Sequence, residues 1–145
     1  MERPPSIVNF ERSFWASTLL GIGGFFYSMG EVRALVDKDP VLSQWDGSMG
    51  FVVGAILLSF ALMVLLWYLT ARRASRIAKW IYVILMAFGI FSTLGTISDP
   101  AAPKGIPLVI SLFSTLFTVA SIYFLFRPDA RDWFARRRVD PATFN

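Results

Sequence analysis

Three stretches of this chain contain no Asp, Glu, Lys or Arg and run long enough to cross a bilayer. They are residues 47–70, 80–98 and 105–126, of 24, 19 and 22 residues. At about 1.5 Å rise per residue, a helix over each covers roughly the 30 Å hydrocarbon core, the first with some tilt. A fourth candidate, residues 13–30, is the marginal case at 18 residues. Nothing in the following EVRALV breaks a helix before Asp37-Lys38-Asp39-Pro40, so the helix is expected to continue through residues 31–36. A rival reading takes 13–30 as a cleaved signal peptide, with Ser28-Met29-Gly30 as the small-residue cleavage site. The length of the apolar run and the acids Glu2 and Glu11 before it favour a retained anchor.

Composition agrees with lipid as the solvent. The 145 residues are the length of one domain, taken here as a single transmembrane domain over 1–145. Their apolar fraction of 55% and mean hydropathy of +0.56 exceed what a soluble domain of this size carries. The chain has no cysteine, which removes disulfides, thiolate metal sites and thiol catalysis. It also has no histidine, the commonest general base, metal ligand and membrane-haem ligand. No cofactor and no metal are therefore expected. The net charge of +4 does not point to nucleic acid, because the basic residues cluster at the ends of the apolar segments rather than on one soluble face.

Counting Lys and Arg gives an orientation. The N-terminal tail, the 71–79 connection and the C-terminal tail together hold 11, and the opposite side holds 3 (Arg33, Lys38 and Lys104). With connections this short, that bias predicts both termini and the 71–79 connection in the cytoplasm. Trp67, Tyr68, Trp80, Tyr82 and Tyr123 fall near the same ends, where amphipathic rings favour the headgroup region. Short connections after the second and third spans predict antiparallel neighbours. The expected fold is an all-α, up-down-up-down four-helix transmembrane bundle with a short C-terminal amphipathic helix over 128–138. The acidic 31–46 segment, with Pro40 and Gln44-Trp45-Asp46-Gly47, reads as a short cap on the outer side.

Small residues recur at helical spacing: Gly21 and Gly24 with Ser17 and Ser28, Gly50 with Gly54, and Gly89 with Ser92 and Thr93. In lipid such residues let helices approach closely, so these glycines are packing candidates, within the bundle or between copies. The fourth span carries Ser111, Ser114, Thr115, Thr118 and Ser121, a hydroxyl stripe that either lines a polar path or bonds to carbonyls of its own preceding turn. No charge accompanies it at mid-depth, although ion pathways normally need one. Glu31, with Ser114 and Thr118, is therefore only a weak pathway candidate. Four-helix proton-coupled exporters of the small multidrug-resistance type carry a membrane-embedded Glu in their first helix, and this first span has none. In RPDARDWFARRR, Pro128 suits a first helical turn and Asp129 its N-terminus. Ala130, Trp133, Phe134 and Arg137 share one face. Trp133 and Phe134 are expected to enter lipid, with Arg136, Arg137 and Arg138 meeting anionic headgroups.

The opening RPPSIVNFER, the spacing of four spans and the closing FLFRPDARDWF resemble small uncharacterised four-helix inner-membrane proteins of Gram-negative bacteria. The resemblance implies a bacterial inner membrane and no particular activity. The expected function is that of a non-enzymatic accessory or interaction component. Its partners would be membrane lipids, anionic ones included, and a membrane-protein partner or a second copy of the chain. A small transporter or channel is the alternative. A membrane-embedded enzyme would lack the parts of most hydrolytic and redox mechanisms.

Overall fold

The structure is a computed structural model that describes residues 3–97 and 104–135. Among these residues the chain is all-helical and has no strand. Its six α-helices are α1 (Pro5–Tyr27), α2 (Met29–Lys38), α3 (Ser48–Ala71), α4 (Arg76–Ile97), α5 (Ile106–Leu125) and α6 (Pro128–Ala135). Helices α3, α4 and α5 are long and apolar enough to cross a membrane. The bent pair α1–α2 makes a fourth span if it is counted as one. Helix α3 is apolar on every side, and none of its most apolar window is buried inside the chain. A helix apolar all round needs an apolar surrounding, which here lies outside the protein.

Helix α1 departs from the sequence expectation in two ways. It begins at Pro5 rather than near residue 13, because proline suits a first helical turn, where its missing N–H has no intrahelical role. The added turns are amphipathic. Ile7, Phe10 and Phe14 are buried on one face, and Glu11 pairs with Arg3 and, at 3.3 Å, with Arg72 Nε. At the other end the helix breaks at Ser28. The helical continuation through residues 31–36 is present as α2, but it turns by 58° from α1. Gly23, Gly24, Ser28 and Gly30 surround the break, and glycine–serine pairs are a recurrent cause of such kinks.

Beyond α2 the chain makes a tight turn instead of a long loop. Asp39 Oδ1 accepts hydrogen bonds from the backbone N–H groups of Val41 and Leu42, both at 2.9 Å. These two bonds favour the charged carboxylate and hold its pKa below the ordinary value. A single 3₁₀ turn at Leu42–Gln44 then leads into α3. At the opposite end, Ala74 adopts a left-handed conformation (φ 47°) that ends α3, and the Ser75 hydroxyl accepts from Ala78 N–H at 3.2 Å to start α4. Before α5, Gly105 has φ 76°, a conformation that glycine adopts without steric penalty.

Helices α1 and α5 form the most extensive pairing. Ser17 meets Thr118, while further along α1 Gly24 meets Ile110, so the two run antiparallel. Tyr82 joins α4 to α5 through Ser121, and Phe14 stacks on Trp67 of α3 at 6.0 Å. The core gathers at the end where the N-terminal turns, the α3–α4 connection and α6 converge, called here the basic end. It comprises Ile7, Phe10, Phe14, Ala71, Tyr82, Leu125, Ala130 and Phe134.

Two sequence expectations are corrected at this end. Phe134 does not face lipid. A tight turn at Phe126 and Arg127 swings α6 back against α1 and α4, and Phe134 is only 5% exposed, packed in the core. Its carbonyl accepts from Arg76 Nε at 3.1 Å, which fixes α6 against α4. Trp133 is likewise partly buried against the core. Tyr82 lies near the basic end as expected, but it points inward at 1% exposure rather than toward headgroups. Arg136, Arg137 and Arg138, with the last turn of the helix expected over 128–138, lie outside the described residues.

Candidate functional site

The four long helices line a half-open cavity of about 250 Å³ midway along their length. Helix α1 contributes Ser17, Thr18 and Gly21, and α5 contributes Ser114, Thr115 and Thr118. Gly89 and Thr93 come from α4, and α3 supplies the apolar wall with Phe60 and Met63. None of the lining residues is an Asp, Glu, Lys or Arg.

The hydroxyls at the α1–α5 side form one connected network. Ser17 Oγ lies 2.7 Å from Thr118 Oγ1 and 3.2 Å from Ser114 Oγ. Thr118 also donates to the Ser114 carbonyl at 2.9 Å, and Ser114 donates to the Ser17 carbonyl at 3.2 Å. Thr115 donates to the Ser111 carbonyl at 2.8 Å. The stripe therefore bonds to carbonyls of its own preceding turns, one of the two sequence readings, and it also reaches across to α1, which neither reading included. Below the cavity, Tyr82 Oη and Ser121 Oγ are 2.7 Å apart, and Ser121 in turn donates to the Thr118 carbonyl at 2.7 Å.

The glycines divide into three groups. Gly24 is a packing glycine, since an added Cβ would stand 3.2 Å from Ile110 Cγ2. Gly21 and Gly89 border the cavity, and a Cβ at either would meet nothing within 4 Å. They widen the chamber instead of drawing helices together. Gly50 and Gly54 lie on the exposed side of α3 and also touch nothing, so the intramolecular packing expected of them is absent. The physical reason is that α3 packs through its other faces, toward α4 and the aromatic rings of α1.

Glu31 is exposed on α2, beyond the bend, and takes no part in the cavity. Among the described residues, no group of three or more His, Cys, Asp or Glu side chains is placed to hold a metal ion. Sequence reasoning noted Ser17 as a small residue but missed its role as the hub that α5 addresses. It also missed Tyr82 as an internal hydrogen-bonding group. The usable signal for Tyr82 was its spacing in α4, three residues after Lys79 and four before Met86, which puts all three near one helix face.

A cavity of this kind can hold water or a small neutral group, and its lining contains no Asp, Glu, Lys or Arg. Helices of this length and apolarity fit a multi-pass membrane protein. No protein-family model, curated protein or solved structure matches the chain.

Proposed function

We propose that this chain is a non-enzymatic accessory component of a bacterial inner membrane. In this reading it has four spans in up-down-up-down order and both termini in the cytoplasm. The observation that supports it best is the neutrality of the mid-depth cavity, where Ser17, Ser114, Thr115 and Thr118 are already bonded to one another or to backbone carbonyls. Moving an ion or proton through hydrocarbon normally calls on an ionisable group at that depth. The uncovered apolar length of α3, with Gly50 and Gly54 on its exposed side, gives lipid or a second membrane protein a broad surface to pack on. The 11 to 3 distribution of Lys and Arg supports the orientation.

The hydroxyl-lined cavity also favours a second reading, a small carrier or channel for an uncharged solute. One pair of measurements separates the two. Purification from native membranes in mild detergent is expected to bring down a stoichiometric membrane protein or lipid. Purified protein in liposomes is expected to pass neither protons nor small polar solutes. Robust proton flux abolished by Glu31→Gln would overturn the accessory reading. Solute flux lost in Ser114→Ala or Thr118→Val would put the channel first.

A further inference from the structure

The basic end contains a second hollow, of about 230 Å³, between the start of α4 and α6. Its lining is Arg76, Lys79, Trp80, Arg131 and Phe134, which amounts to three cations, two aromatic rings and no carboxylate. Lys79 is the unusual member. It is only 9% exposed, and among the described residues no ion pair or hydrogen bond engages its ammonium. Aromatic faces surround it instead, with Nζ 4.3 Å from the Phe126 centroid, 5.2 Å from Phe134 and 5.9 Å from Trp80. Rings of this kind solvate a cation partly, but they do not cancel its charge.

The backbone adds to the imbalance. Arg76 and Lys79 occupy the first turn of α4, which contains no acid, and there the free N–H groups already present positive charge. Of the acids in the described part of α6, Asp129 is bound by Ser6, and Asp132 is exposed. A largely buried cation beside two others, at the positive end of a helix and with no acid among the described residues paired to it, is a favourable place for an anion.

We infer that this hollow binds a phosphate group, with Lys79 as the buried counter-charge and Arg76 and Arg131 as the donors at its rim. Guanidinium groups suit phosphate through paired N–H donors, and the indole and phenyl walls suit the glycerol and first methylenes of a phospholipid. The source we favour is an anionic lipid headgroup. That choice rests on the membrane placement proposed above, whereas the phosphate site itself does not.

The test uses the purified full-length protein in neutral detergent, followed by thermal unfolding and by native mass spectrometry. The additives are phosphatidylglycerol, phosphatidylcholine and inorganic phosphate. Phosphatidylglycerol is expected to raise the unfolding midpoint of the wild type and to remain bound, with phosphatidylcholine doing neither. Lys79→Met is expected to lower phosphatidylglycerol retention about tenfold, the worth of one charge-assisted hydrogen bond to a phosphate. Without additive, the same variant is expected to unfold at or above the wild-type midpoint, because it removes a largely buried cation that no acid among the described residues neutralises. A mere topology anchor would show neither effect. Arg131→Gln, on the exposed rim, gives a second variant should Lys79→Met fold poorly, and Arg12→Gln controls for general loss of charge. Protection by inorganic phosphate alone supports the site but assigns it to a soluble phosphate, which would count against the membrane source only. Absence of protection by either additive, or retention unchanged in both Lys79→Met and Arg131→Gln, overturns the site.

Discussion

The basic end and the middle of the long helices are built on opposite plans. At the basic end, Ile7, Phe10, Ala71, Leu125 and Ala130 are fully buried, and charged groups clasp the helices together from outside. Midway along, the same helices part around a neutral cavity, and glycines face open space. The difference shows where each region draws its cohesion. In the membrane placement proposed above, water near the headgroups would drive apolar burial, and large rings pack there. In hydrocarbon that drive would be absent, leaving hydroxyls that bond across helices to take over.

The largest test of this contrast is all-or-none. The comparison treats the basic end as one side of a membrane and the Asp39–Gly47 turn as the other. The chain has no cysteine, so single thiols can be introduced at the exposed positions Ser43 and Asp132. In intact cells an impermeant thiol reagent is expected to label Ser43→Cys and not Asp132→Cys. The reverse pattern would invert the orientation, and labelling of both would break the span count. Next in size is Phe10→Ala. Phe10 is fully buried and meets Tyr82 edge-on at 5.4 Å, so its loss is expected to cost about 3–5 kcal/mol in a denaturant titration. Phe88→Ala, at a position 76% exposed, is expected to change stability by less than about 0.5 kcal/mol. Similar costs for the two would erase the distinction between the regions.

A smaller effect comes from Asp129. Its carboxylate accepts from Ser6 Oγ at 2.7 Å and from Ser6 N–H at 3.0 Å, and these bonds hold its pKa below the ordinary 3.8. A carboxylate lowered by folding contributes stability that is complete above its unfolded pKa and is lost as pH falls through the folded one. Wild type is therefore expected to lose stability on acidification below the ordinary carboxylate range more steeply than Asp129→Asn. Parallel pH profiles would show that the bond to α1 contributes nothing. The smallest expected change is Gly21→Ala. Its methyl would enter the cavity without a clash, so helix propensity is expected to give a gain of at most about 1 kcal/mol. Gly24→Ala, pressed on Ile110, should be less favourable than Gly21→Ala, and the opposite order would mean that the cavity wall is misassigned.

How far the sequence could be read follows from the same contrast. Spans 47–70 and 105–126 were legible because length without charge is a local property, and α3 and α5 match them closely. The start of α1 was hidden by Glu11 and Arg12, which interrupt the apolar run. Only the fold shows that Arg72 reaches Glu11. The direction of Phe134 was hidden for another reason. An amphipathic helix declares which face is apolar, not whether lipid or protein will cover it, and the turn at Phe126 decides that. In the candidate site, the stripe from Ser111 to Ser121 was visible by spacing, but its partner Ser17 lies 97 residues from Ser114 in sequence. The charge imbalance around Lys79 was invisible, because counting basic residues for topology does not show which of them converge.

The bond between Ser6 and Asp129 joins positions 123 residues apart. During synthesis the first helix therefore emerges long before the residue that caps it, and before α5, its main neighbour, has been made. Until then its inward face, with Ser17 and the apolar residues around it, stands without its final neighbour. Closure is thus a late event, completed only once α6 has been made. A chain stopped short of α6 would carry the long helices α1, α3, α4 and α5 and still lack the clasp that ties α1 to α6.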